Sequence, residues 1–215
     1  MKKVIFFGAG ALACEIFSHA TKNAEIRGFI SEDNSFEEVL CSRFEKTYKK
    51  EFKNHFYKTI EIKNFKKEFD NYFLAVFSPK VKTRVASIMD TFITPISFFH
   101  PSSLIDESST ISPGVYMDAF SSVSHGSKIG RHTLIGRNSN LGHDNSIGNF
   151  SSIGPGVVLT RNIKIGDGSS IGANSTILPN VSIAKNVTIA PNSLVSRSIT
   201  EEHSTWIGSI IKRIR

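Results

Sequence analysis

Every sixth residue from Ile105 to Val195 is aliphatic: Ile105, Ile111, Met117, Val123, Ile129, Ile135, Leu141, Ile147, Ile153, Leu159, Ile165, Ile171, Ile177, Ile183, Ile189 and Val195. The phase holds through all sixteen positions. A period of six fits neither an amphipathic helix, at about 3.6 residues per turn, nor a flat strand, at 2. It fits a solenoid in which each hexad supplies one short strand and one corner, and three hexads close a triangular coil. Sixteen hexads make a little more than five coils, a prism roughly 25 Å tall at about 4.8 Å between neighbouring strands. Glycine follows seven of the marks directly, at Gly130, Gly136, Gly142, Gly148, Gly154, Gly166 and Gly172. These glycines are expected to permit the tight corners. Small or β-branched residues, among them Ser109, Ser127, Thr133, Ser139 and Ser151, stand two places before a mark.

Ahead of the hexads the pattern is different. Residues 2–7 are a β-rich apolar run that ends in Gly8-Ala9-Gly10, and a helical pattern with Leu12, Ile16 and Ala20 on one face follows. A second strand, Glu25 to Ile30, closes in the polar group Ser31-Glu32-Asp33. Strand, glycine turn, helix, strand and acidic group is the order of a nucleotide-binding βαβ unit. In such a unit the glycines let backbone approach phosphate at a helix N-terminus. Further on, Phe44, Tyr48, Phe52, Phe56, Phe65 and Phe69 recur at helical spacings and predict packing stripes. Residues 72–77 read as a buried parallel strand, 80–91 as a helix and 96–99 as a last strand. The period changes to six at His100-Pro101-Ser102. This divides the chain into a small α/β domain over 1–100, a prism over 101–199 and a C-terminal cap over 200–215 that includes Trp206.

Composition narrows the function classes. No apolar run approaches the roughly 20 residues that span a bilayer, so no membrane insertion is expected. Cys14 and Cys41 have neither metal-type nor disulfide-framework spacing, which points to a reducing cytoplasm. The net charge of +7 is concentrated in residues 43–69, where nine Lys/Arg outnumber four Glu. No aromatic–basic motif accompanies that run, so it predicts a solvated lysine-rich surface and no nucleic-acid partner.

Candidate chemistry lies on the prism. One coil is eighteen residues, so His125, His143 and Arg161 form a column near a corner. An imidazole there is suited to general-base catalysis. Asp144 follows His143, but neighbours along a strand tend to point apart, so spacing leaves their pairing open. A rival reading has His125, His132 and His143 converge on zinc across a subunit interface, as in γ-class carbonic anhydrases. His125 and His132 also read simply as exposed polar residues, and no metal is expected.

The Gly8-Ala9-Gly10 start, the strand end Gly28 to Asp33, the junction His100-Pro101-Ser102-Ser103 and the run Gly142-His143-Asp144-Asn145-Ser146-Ile147-Gly148 together resemble one family. It is the bacterial nucleotide-sugar N-acetyltransferases of the bacillosamine, perosamine and 4-amino-4,6-dideoxyglucose pathways, with sialic-acid-cluster O-acetyltransferases as relatives. The resemblance implies a Rossmann-like α/β domain joined to a left-handed parallel β-helix of hexapeptide repeats. It implies a cytoplasmic homotrimer that moves acetyl from acetyl-CoA to the amine of a nucleotide-linked sugar, for O-antigen or other surface glycan. His143 would be the base and Asp144 its partner. Gly8, Gly10, Ala11, Leu12, Ser31 and Glu32 would hold the nucleotide sugar. Ser152, Ala173, Pro191 and the Arg161 backbone N–H would meet acetyl-CoA. The sequence departs from the family at Gly10-Ala11-Leu12-Ala13 and at Ser31-Glu32, where Gly-Gly-His-Gly and Asp-Asp are common. A sugar O-acetyltransferase, a metalloenzyme and a non-catalytic nucleotide-sugar-binding protein remain as rival functions.

Overall fold

The computed structural model describes residues 1–8, 10–31, 56–58 and 68–208. The chain forms two compact units that divide between Phe98 and Phe99, slightly ahead of the boundary expected after residue 100.

In the N-terminal unit, strand β1 is Lys2–Phe7, helix α1 Ala11–Ala20, β2 Ala24–Ser31, β3 Phe56–Lys58, β4 Asn71–Leu74, helix α2 Pro79–Met89 and β5 Thr94–Pro95. The strands lie in the order β3-β2-β1-β4-β5, and each neighbouring pair is parallel. Val4–Phe7 and all of β4 are buried, the condition under which parallel strands read as unbroken apolar runs. Phe6 centres this core, with its ring 5.6 Å from Phe29 and 5.5 Å from Phe73. α2 begins where Ser78 Oγ accepts a hydrogen bond from the Val81 N–H, with Pro79 in the first turn, a favoured helix start. Phe56 corrects the expected helical stripe, because it lies in β3, where strand pairing with β2 overrides a spacing that only resembled a helix. Phe44, Tyr48, Phe52 and Phe65 lie outside the described residues.

The second unit is the prism. Strands of two residues pair in parallel with strands exactly one coil later, as Ser122 does with Asn140 and Val123 with Leu141. Six such strands from Leu104–Ile105 to Leu194–Val195 make the first wall, and five from Thr110–Ile111 to Ser182–Ile183 make the second. The third wall, of seven, carries Tyr116–Met117, Leu134–Ile135 and Ser152–Ile153. From Met117 to Val195 every aliphatic mark is buried in one core. The residues two places before the marks stitch the coils together. Ser127 Oγ donates to Gly142 O at 3.1 Å, Ser139 Oγ to Gly154 O at 2.8 Å and Ser151 Oγ to Gly166 O at 3.2 Å. Each hydroxyl therefore satisfies a buried carbonyl of the next coil.

The corners differ from expectation. The left-handed residue lies three places after each mark, at every sixth position from Gly114 to Asn192, and six of these fourteen are asparagine. Asparagine tolerates that conformation better than most residues. The seven glycines directly after the marks have ordinary φ. What they need is space: a Cβ on Gly130 would lie 2.6 Å from Asn149 N, and one on Gly136 2.7 Å from Pro155 N. They admit the backbone of the next coil, and the corner turns elsewhere.

At the C-terminal end the rhythm shortens. Thr188 pairs with Thr205, and Ile183 bridges Ile199. These partners are seventeen and sixteen residues apart instead of eighteen. The start of the expected cap is thus one more, tighter rung of two walls, and Trp206 Nε1 donates to Ser204 Oγ at 2.7 Å. Residues 209–215 lie outside the described residues.

Candidate active site

The three corners of each coil stack into three edges. One edge carries Gly126, Asp144, Asn162 and Asn180 as its left-handed residues, each following a column member: His125, His143, Arg161 and Pro179. Backbone bonds tie the stack, from Asp144 N to His125 O at 2.9 Å and from Asn162 N to His143 O at 3.1 Å.

His143 Nδ1 lies 2.7 Å from Asp144 Oδ2. The pair is half exposed, at 53% and 57% of the side chains. Its geometry follows from the backbone: at φ +58° Asp144 is left-handed, so its side chain swings back beside its neighbour instead of pointing away as on a strand. A carboxylate only accepts hydrogen bonds, so Nδ1 carries the proton and the Nε2 lone pair is left free. Asn145 braces this turn. It is buried, its Nδ2 donates to Gly142 O at 2.7 Å, and its Oδ1 accepts from Ile163 N at 2.9 Å.

One coil earlier, Asp106, Ser108 and His125 contain the residue types of a nucleophilic triad in a different arrangement. Ser108 Oγ is 2.5 Å from Asp106 Oδ1 and 2.7 Å from His125 Nδ1. Ser108 Oγ donates to the carboxylate, and Asp106 faces the same ring nitrogen as the serine instead of the opposite one, so the serine–imidazole–carboxylate order of a triad is not formed. Hydrogen bonds from Ser108, helped by His125, hold the Asp106 carboxyl below its usual value. His132 is a correction. Expected to be exposed, it is buried and stacked on Phe150 with ring centroids 5.3 Å apart. It also lies on a different edge from His125 and His143, so the three do not converge within the chain. Among the described residues no His/Cys/Asp/Glu cluster could hold a metal.

The residues expected to meet acetyl-CoA are spread over the prism. Arg161 is exposed on the His143 edge, one coil on. Ala173 and Pro191 share another edge, and Ser152 is buried on the third wall. In the N-terminal unit, Gly8 (φ +104°) turns out of β1 with its N–H on Ile30 O at 2.9 Å. A Cβ there would lie 2.6 Å from Ala75 O. Gly10 caps α1 without a side-chain bond, and Ala11 and Leu12 open the helix. Ser31 ends β2 beside them, at the carboxyl edge of the parallel sheet. Glu32 lies outside the described residues. The sequence reading missed Asn145 and Gly126. Asn145 was legible as the one asparagine at the serine-ladder phase, and Gly126 as the glycine eighteen residues before Asp144.

Residues 162–197 match the bacterial transferase hexapeptide family (six repeats). The prism is a left-handed hexapeptide β-helix. The fold of the whole chain, α/β unit included, is similar to several solved structures. PerB from Caulobacter crescentus, in complex with CoA and GDP-perosamine, has a TM-score of 0.82 at 16% identity, covering 97% of this chain and 95% of that one. The acetyltransferase domain of PglB from Neisseria gonorrhoeae, in complex with acetyl coenzyme A, has 0.79 at 19% identity, covering 96% of each. WeeI from Acinetobacter baumannii has 0.63 at 14%, covering 91% and 95%. No curated protein matches in sequence. At these identities the likeness is one of fold, and the chemistry of the β-helix edge rests on its own residues.

Proposed function

We propose that the protein is an acetyl-CoA-dependent N-acetyltransferase acting on the amine of a nucleotide-linked 4-amino-4,6-dideoxy sugar. The observation that carries this reading is the His143–Asp144 contact: a half-exposed imidazole held at Nδ1 by a carboxylate, which leaves Nε2 as the nitrogen that can take a proton. The acceptor amine attacks the thioester carbonyl, the new C–N bond forms and the C–S bond breaks. His143 Nε2 takes the amine proton and passes it to the departing sulfur, so CoA leaves as the thiol. Asp144 steadies the imidazolium. The Arg161 backbone N–H, on the same edge, stabilises the thioester oxyanion. Direct transfer needs no acyl-enzyme.

Three further observations support the reading. The strand order β3-β2-β1-β4-β5 matches five strands of the doubly wound order 3-2-1-4-5-6, which supports a Rossmann-like nucleotide site with Gly8, Gly10, Ala11, Leu12 and Ser31 at its carboxyl edge. Structures of like fold are described as holding CoA with GDP-perosamine, or acetyl coenzyme A. The His143 edge and the Ala173–Pro191 edge are different edges of one prism, so a single acetyl-CoA meets both only between two subunits. A cytoplasmic homotrimer satisfies that requirement. Its first wall exposes Leu104 at 71%, and Val158 and Leu194 at 37%, for a neighbouring copy. The product would serve O-antigen or other surface-glycan assembly.

The test is thiol release from acetyl-CoA with dTDP-, UDP- and GDP-linked 4-amino-4,6-dideoxy sugars, with a 4-hydroxy sugar as control. Release with one amine establishes the activity and the nucleotide. Release with the hydroxyl sugar alone makes the protein an O-acetyltransferase. Silence throughout overturns both.

A further inference from the structure

The edge that carries His143 has a gap built beneath it. All four left-handed glycines of the β-helix lie under the side chain one coil later: Gly114 under His132, Gly126 under Asp144, Gly156 under Asn174 and Gly168 under Asn186. A Cβ on Gly126 would come within 2.6 Å of Asp144 Oδ1. That is the oxygen not bonded to His143, and moving it rotates Oδ2 off the ring. Higher on the same edge the gap is filled. Asn162 Nδ2 donates to Asn180 Oδ1 at 2.8 Å, an asparagine ladder one coil in pitch. The left-handed backbone at 126, φ +67°, would admit asparagine too, with the Asp144 carboxylate shifted and the carboxamide reaching it in the same way.

We propose that Gly126 is a positioning residue: by leaving its rung empty it keeps the Asp144 carboxylate free to hold His143. The inference rests on the transferase reading above. One and two coils above Asp144 the left-handed position holds asparagines that bond to one another, Asn162 to Asn180, whereas at 126 such a residue would draw the carboxylate away from the base. The coil below clears the rung further, because His125 turns its Nδ1 to Ser108.

The experiment compares Gly126→Asn with Gly168→Asn, which makes the same exchange on the edge of His132 and Phe150, away from His143. Gly126→Asn is expected to leave the melting temperature and the KM for acetyl-CoA near those of the parent. It should lower kcat by about 10²-fold, the scale of a misplacement of about 1 Å at a reacting group. Gly168→Asn should keep kcat. In an Asp144→Ala background Gly126→Asn should cost nothing more, and its crystal structure should show the carboxylate off His143 Nδ1. Parent-like kcat in Gly126→Asn, equal losses in both glycine variants, or an undiminished loss without Asp144 would each overturn the proposal. His143→Ala is run alongside. Turnover that survives it sinks the transferase reading and this one together, whereas an inert His143→Ala beside a fully active Gly126→Asn sinks this one alone.

Discussion

Gly142 lies directly against the carbonyl oxygen of Thr160, with no room for a methyl group between them. The residue before the candidate base is therefore fixed by the backbone of the next coil and not by a turn conformation. Gly142→Ala should destabilise the protein by about 1–3 kcal/mol, the range for overpacking a close contact. Thermal unfolding measures it, and an unchanged melting temperature would mean the coils can slide apart.

His143→Ala should lower turnover by about 10²–10⁴-fold, the usual contribution of a positioned base, with acetyl-CoA affinity nearly unchanged. Asp144→Asn keeps the shape but removes the charge that steadies the imidazolium, so it should fall in the same direction by less. Initial rates and calorimetric CoA binding separate the two effects.

Asn145 satisfies two backbone groups, Gly142 O and Ile163 N. Asn145→Ala takes the acceptor from Ile163 N and one of two donors from Gly142 O, which keeps Ser127 Oγ; this should cost about 1–3 kcal/mol and lower kcat by loosening the His143 turn. Intact stability with lowered kcat would place its role in the site alone, and intact values of both would show that neither the fold nor the site needs it.

Lys82 is fully buried in α2, and burial holds its amine well below the usual 10.5. Between that lowered value and 10.5 the unfolded chain binds more protons than the folded one, so stability rises with pH across the interval. Below it the buried amine weakens the fold. Lys82→Met should raise stability at neutral pH and flatten the alkaline rise, as read by urea unfolding at the two ends of that range. Weaker folding at both ends would show that the amine is held by more than its surroundings cost it.

A chain beginning at His100 should keep the cooperative unfolding of the β-helix, whose core is drawn from residues 115–199. It should lose acceptor binding far more than CoA binding. Retained acceptor affinity would detach the nucleotide sugar from the N-terminal unit.

The β-helix was legible because a single physical requirement, an aliphatic group pointing inward at each wall, repeats at one spacing. The corners were legible too, in Asn138, Asn162, Asn174, Asn180, Asn186 and Asn192 at one phase, but the glycines beside the marks drew the attention. Those glycines answer to the neighbouring coil, and a demand made by backbone eighteen residues away leaves no local pattern. The same holds at the site. His143 stood out as an imidazole in a column, whereas its pairing with Asp144 depends on a left-handed φ that residue identity does not dictate. Buried His132 escaped for a related reason, since its stacking partner Phe150 is a full coil away. In the α/β unit, β1, α1, β2 and α2 followed from apolar runs, a glycine turn and helical spacing, while Phe56 was misread because aromatic spacing fits a helix and a strand alike.

The shortened last coil has a consequence beyond its own rung. A ladder that repeated without change would end in a fresh row of unpaired amides and carbonyls, matched in pitch to the beginning of any other copy. Open strand edges of that kind invite end-to-end growth into fibres. By bringing Ile199 and Thr205 back after sixteen and seventeen residues, the chain spoils the match. A second copy, whose coils recur at eighteen residues, finds no continuation of its own spacing in this last rung, so the shortening works against the repeat passing from one molecule to the next.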